Sequence, residues 1–364
     1  MMRVGVDTSK IPGAADRGPR WTLDRVAGLG LEGALFRSAF DLSPELDAGE
    51  LADVAAHAAG LGLYLEVGAG VVNPFAVPEA PRIRDLGDGD HLAGMRRLID
   101  ALAAAGLHEL WAVTGSYKFR IRGIHACDRF RTDVDWADQL AVTSAFLRRL
   151  APVLRDAGSH LNVETHEEIS SFEAVRLVEE AGPDAVGITF DTANVVVRGE
   201  HPVRAAERVA PYARQSHVRD VSLLPTDDGW GRFLAPVGEG IVDWAALLGA
   251  LSAGPLGTIT IEGVGRSSAE MSLYVDSPLW RAAHPDLSAE ELESLIRLGE
   301  QHAERVRRGE AAGLESLRAP YAEEAAEDFI RDSAAALRAV LSTLPSARPG
   351  AGDPVPTTRE SSPS

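Results

Sequence analysis

The sequence predicts a closed (β/α)8 barrel, and three observations carry that prediction. Eight short apolar runs recur along the chain. Stretches of helical periodicity separate them. Polar residues able to do chemistry stand at the C-terminal ends of the later runs. The runs are RVGVDTS (3–9), GALFRSA (33–39), LYLEVGAG (63–70), ELWAVTG (109–115), HLNVETH (160–166), VGITFDTAN (186–194), RQSHVRDV (214–221) and GTITIEGV (257–264). Most are four to six apolar-rich residues with a glycine or polar terminus, as expected of parallel strands buried on both faces. An open doubly wound sheet is the rival, but no glycine-rich phosphate fingerprint follows the first run.

The helices follow from periodicity and caps. Over 136–157, Trp136, Leu140, Leu147, Leu150 and Leu154 recur every three or four residues on one face, and Gly158 closes the helix. The helix over 171–181 carries Phe172, Val175 and Val178, and Ser170 with Glu173 forms a capping box. Asp243 caps a helix bearing Trp244, Leu247, Leu248 and Leu251. After the eighth run, 265–320 reads as an insertion with a helix over 288–309 begun by Ser288. A final helix over about 321–343, with Phe329, Leu337, Val340 and Leu341, closes the barrel. Residues 1–344, insertion included, read as one barrel domain. Residues 345–364, rich in Pro, Ser and Gly, read as a disordered tail.

Composition narrows the function. The chain has 364 residues, 45% hydrophobic and 25% charged, enough for an ordinary globular core. A net charge of −18 speaks against nucleic acid, whose phosphates require a clustered basic surface. Cys127 is the one cysteine, so neither an internal disulfide nor a cysteine-rich metal site is expected. No apolar run reaches membrane-spanning length, and the start lacks the order of a secretory signal, so a cytoplasmic protein is expected.

Strands five to eight end in Glu164, Asp191, His217 and Glu262. A single Asp in such a place is ordinarily a turn former or helix cap, and a single His a satisfied surface or core residue. Four such residues at the same end of four consecutive strands converge on one mouth. Three carboxylates that close repel unless a cation or proton intervenes. Oxygen-rich ligation with one imidazole suits Mn²⁺, Mg²⁺ or Co²⁺, with Zn²⁺ an alternative. His166, two residues past Glu164, points to the same side of its strand. It reads as a substrate hydrogen-bonding group or a base. Glu167 and Glu168 read as solvent-facing or supporting. Trp111, Lys118, Arg120 and Arg122 follow strand four; Trp230 and Phe233 are placed in a loop after strand seven, where an aromatic stacks on a sugar or packs.

The segments NVETHEE, GITFDTAN, QSHVRD, APVGEGIVDW and TITIEG together resemble the xylose-isomerase-like TIM barrel superfamily of sugar isomerases, sugar epimerases, inosose dehydratases and endonuclease IV. The likeness covers most of 3–264. It implies a metal, Mn²⁺ first, held by Glu164, Asp191, His217 and Glu262, with Glu164 and Glu262 also moving protons on opposite faces of a sugar. Catalytic roles are expected for Glu164, Glu262 and His166, and substrate contacts for Arg219, Asn194, Trp111 and Lys118. Asn194 stands where the ketose 3-epimerases carry a His, which argues against a simple free-ketose 3-epimerase. The expected activity is isomerisation or epimerisation beside a carbonyl of a sugar derivative. The alternatives are a lyase that cleaves 3-oxo-glycosides, C-glycosides included, by β-elimination, an inosose-dehydratase-like lyase, and a non-catalytic carbohydrate-binding barrel. The expected partner is a small carbohydrate, with no nucleic acid and no membrane; a homo-oligomer or partner subunit is left open.

Overall fold

All eight apolar runs become strands. The structure, a computed structural model, describes residues 2–344 except 80, 119 and 266, so the expected tail at 345–364 lies outside the described residues. The strands are β1 (Arg3–Asp7), β2 (Gly33–Phe36), β3 (Tyr64–Val71), β4 (Glu109–Val113), β5 (His160–Glu164), β6 (Val186–Asp191), β7 (Ala213–Val218), β8 (Asp220–Thr226), β9 (Gly229–Ala235), β10 (Thr258–Ile261) and β11 (Met271–Leu273). Eight of them close a parallel barrel in the order β1-β10-β7-β6-β5-β4-β3-β2. Closure is made by β1 on β10, with Arg3 opposite Thr258 and Val6 opposite Ile261.

Side chains rather than solvent fill the barrel. Tyr64 reaches across to donate to Thr260 Oγ1 or accept from it at 3.1 Å. A Cβ at Gly33 would lie 2.2 Å from the Tyr64 ring, so only glycine fits there. Glu66 is buried beside it and accepts from Thr258 Oγ1 at 2.7 Å and Thr260 Oγ1 at 2.8 Å. Burial pushes its carboxyl above the usual range although the two hydroxyls pull it down.

The caps form as read. Ser170 and Glu173 make a capping box, Asp243 accepts from Ala246 N, and Ser288 accepts from Glu291 N. The last helix, Glu323–Thr343, packs on β1 and β10 and buries Phe329 and Leu337. No helix among the described residues is long and apolar enough to cross a membrane.

One segment departs from expectation. Trp230 and Phe233 lie on a strand and not in a loop, because 220–235 folds as the antiparallel hairpin β8–β9, to which β11 adds. The insertion's helix Ala289–Arg307 lies against this hairpin, where Gly299 leaves room for the Trp230 ring. Arg129, in the loop after β4, ties the insertion down by donating to Ala283 O and pairing with Glu173 through two bonds of 2.7 and 3.0 Å.

Candidate metal centre

The parallel register brings four strand ends together. Asp191 lies opposite His217, and His217 opposite Thr260, two residues before Glu262; Glu164 ends β5 beside them. One ligand atom from each of Glu164, Asp191, His217 and Glu262 lies within 4.8 Å of the others, and all four residues are buried. The cap reading and the site reading of Asp191 are both true. Its Oδ1 accepts from the backbone N–H groups of Ala193 and Asn194, each at 2.8 Å, which orients the carboxylate. Its Oδ2 faces Arg219 at 2.7 Å.

Each carboxylate has a different environment. Glu164 accepts from Trp111 Nε1 at 2.6 Å and from Asn194 Nδ2 at 3.2 Å, both uncharged donors. Burial pushes its carboxyl up, but His217 and then His166 outweigh that and hold it below the usual range. Glu262 meets Arg219 Nη1 at 2.9 Å and also pairs with Arg37. Burial opposes ionisation there too, yet the two guanidinium groups and His217 hold Glu262 well below the carboxylate range. For Asp191, burial wins over Arg219, and the repulsion of Glu262 and Glu164 adds to it; its pKa rises to about 7.

His217 is the informative member. It is fully buried, and neither ring nitrogen has a hydrogen-bond partner among the described residues. Its Nδ1 stands 3.5 Å from Glu164 Oε1 and 3.9 Å from Glu262 Oε2, too far for a hydrogen bond. A buried imidazole left this way is costly, whereas a cation shared with three carboxylates satisfies it. The donor set of carboxylate oxygens and one imidazole therefore fits a divalent cation.

The other expected residues divide. Arg219 lines the cavity above the cluster. Asn194 and Trp111 touch Glu164 and position it, and the Trp111 ring also lies 5.6 Å from that of His217. Lys118 is drawn to Asp128, at 2.5 Å, in the loop after β4. His166 lines the cavity with Nδ1 2.6 Å from Glu168 and Nε2 2.7 Å from Glu167. Burial disfavours its charge, but these carboxylates and Glu164 raise its pKa well above the usual value. Glu167 and Glu168 are buried, not solvent-facing: Glu168 also accepts from Thr114 Oγ1 at 2.7 Å.

Three cations were not anticipated: Lys10, Arg37 and Arg232 line the same cavity of about 280 Å³. Arg37 had a visible signal, a charge placed directly after an apolar run. Asp220 likewise explains the APVGEGIVDW segment. Its carboxylate accepts from Val221 N, Gly238 N, Val242 N and Trp244 Nε1, and a Cβ at Gly240 would lie 2.2 Å from it.

Comparison with known proteins agrees with the barrel fold. The family described as Xylose isomerase-like TIM barrel matches residues 23–298. An uncharacterised protein of Escherichia coli K12, YihM, is 30% identical over 111 residues, 30% of this chain and 34% of that protein. A 3-oxo-isoapionate decarboxylase of Pectobacterium atrosepticum is 27% identical over 106 residues, 28% of this chain and 38% of that protein. The matched region thus spans about a third of the length of these curated relatives. In fold, a D-psicose 3-epimerase of Clostridium cellulolyticum H10, solved with D-tagatose, superposes with a TM-score of 0.56 at 15% identity, covering 85% of this chain and all (100%) of that one. The chain belongs to the xylose isomerase-like TIM barrel family.

Proposed function

We propose that the protein is a divalent-metal-dependent sugar isomerase or epimerase that moves a proton on the carbon beside a carbonyl. The observation that carries this reading is the buried His217, both nitrogens unpartnered, among three carboxylates under a cavity open to a small molecule. Glu164, Asp191, His217 and Glu262 would hold the metal, with Mn²⁺ first and Mg²⁺, Co²⁺ or Zn²⁺ as alternatives. When bound, such a cation supplies Lewis-acid stabilisation of the negative charge that develops on the carbonyl oxygen.

The residues divide the remaining work. Glu164 is the better proton acceptor, because its hydrogen-bond donors are uncharged while Glu262 is flanked by two guanidinium groups. Glu262 returns a proton on the opposite face. His166, held as a cation between Glu167 and Glu168, exchanges its Nε2–H contact with Glu167 for a substrate oxygen and shares that proton with it. Arg219 orients Asp191 and Glu262 and faces the substrate. The fold likeness to a sugar epimerase supports proton transfer between faces. The 3-oxo-isoapionate decarboxylase relative supports a second reading, a lyase acting on a 3-oxo sugar derivative through the same stabilised anion.

The test is metal content of the purified chain, followed by exchange of sugar C–H for deuterium across a panel of ketoses and 3-oxo-glycosides. Stoichiometric metal, loss of exchange on chelation and its return with Mn²⁺, Co²⁺ or Mg²⁺ are expected. Undiminished exchange in verified metal-free protein would defeat the proposal.

A further inference from the structure

The cavity wall contributed by the hairpin carries a buried guanidinium that has no ion-pair partner among the described residues. Arg232, on β9, is 1% exposed and lines the cavity. Its Nη1 donates to Ala269 O at 3.3 Å, its Nη2 meets only the Met271 sulfur, a weak acceptor, and its Nε has no partner. No carboxylate of the described residues lies within ion-pair distance of it, although every other cavity-lining arginine has two: Arg37 pairs with Asp7 and Glu262, Arg219 with Asp191 and Glu262. Glu167, on the same cavity, is engaged by His166 at 2.7 Å. Lys10 also lines the cavity without an ion-pair partner among the described residues. Burial and then the neighbouring Arg219 lower the Arg232 pKa to about 10, outweighing the pull of Glu167, Asp191 and Glu262, none of which is within ion-pair distance.

A buried charge without a counter-charge is costly, and an apolar residue on β9 would avoid the cost. The arrangement makes sense when the missing anion arrives with the substrate. We propose that the substrate carries an anionic substituent, a carboxylate or a phosphate, and that Arg232, with Lys10, receives it. The inference rests on the sugar-chemistry reading above and adds the substrate's charge. Arg232 belongs to the three-stranded sheet and not to the barrel, so the anion is received by a different part of the fold from the one that gathers the carboxylates.

The experiment is isothermal titration of the manganese-loaded full chain with D-fructose, D-fructose 6-phosphate and 5-keto-D-gluconate, repeated on Arg232→Met and Lys10→Met. At least one of the two anionic ketoses should bind about 10-fold tighter than fructose, or more, and whichever it is identifies the anion. Arg232→Met should erase that preference, a loss of roughly 10- to 100-fold, with metal stoichiometry and fructose affinity unchanged. Its melting temperature should stay level or rise, because an uncompensated charge has gone; Lys10→Met should weaken the preference less. Fructose binding as tightly as both anions overturns the proposal. So does an Arg232→Met protein that keeps the preference, and a fall in its melting temperature would then assign the guanidinium to packing. If no ketose binds, inorganic phosphate and glycolate are titrated instead. Arg232-dependent binding of either keeps the anion subsite and removes the sugar reading; no binding of either removes the subsite.

Discussion

Metal binding to this cluster should be strongly proton-linked near neutrality, and the size of the effect follows from Asp191. With a pKa of about 7, its carboxyl is protonated in about nine-tenths of metal-free molecules near pH 6 and in about one-tenth near pH 8. A cation requires the carboxylate, so its apparent affinity should fall about tenfold from pH 8 to pH 6, with about one more proton released at the lower pH. His217, raised above its usual value by the surrounding carboxylates, adds to the effect in the same direction. Glu164 and Glu262 are held below the carboxylate range and stay ionised throughout this window. The sign for stability is also set. A carboxyl raised from 3.8 contributes stability to the metal-free protein that is fully present below that value and lost as pH rises through about 7. His284 and His302, whose charge burial disfavours, pull the other way below about pH 6.5, so the contribution is read by difference: Asp191→Asn should lose less melting temperature than the parent chain between pH 5.5 and pH 8. Mn²⁺ at about a thousandfold excess over its dissociation constant should restore about 4 kcal/mol, or about 5 °C for a chain of this length. The assay is titration calorimetry in two buffers of different ionisation enthalpy, with melting curves at each pH. Equal affinity at both pH values, with no buffer-dependent heat, would refute the reasoning.

Three further outcomes are expected. His166→Ala should leave metal content in place and lower kcat roughly 100-fold or more, with a fall in melting temperature because Glu167 and Glu168 lose their counter-charge; preserved turnover with reduced stability would make it a packing residue. Glu173→Ala should destabilise the chain by about 3–5 kcal/mol in chemical denaturation, because it strands the buried Arg129; a loss below about 1 kcal/mol counts against the pairing. Cys127 is buried with its thiol pushed up to about 11 by burial, so it should resist a thiol reagent at pH 8 until the chain is unfolded. Labelling of the native protein at the rate of a free thiol contradicts that environment.

The barrel strands were legible because burial on both faces writes a continuous apolar run, and a run has a readable end. Glu164, Asp191, His217 and Glu262 stood at such ends, so their convergence followed from topology alone. The hairpin was not legible. Pro225 and Gly231 interrupt its alternation, and Pro225 is tolerated only because β8 is an edge strand paired with β9 alone. With the hairpin read as a loop, Arg232 had no inward face to be assigned to. Of the two readings of Glu167 and Glu168, the supporting one holds and the solvent-facing one fails. Adjacent charges read as solvated, and the groups that let Glu168 stay buried, Thr114 among them, come from a different strand.

The pairing of β1 with β10 has a consequence for how the site comes into being. Glu262 follows directly on β10, the strand whose register with β1 joins the start of the barrel to its end. The ion pair from Arg37, just past β2, reaches the same carboxylate and fastens the seam from the other side. The first strand and the last must meet across almost the whole barrel sequence, which makes this contact entropically expensive. Until it forms, Glu164, Asp191 and His217 have no fourth companion. A ligand that engages all four side chains thus discriminates the closed barrel from every partly assembled chain, and its binding energy acts as a latch on closure.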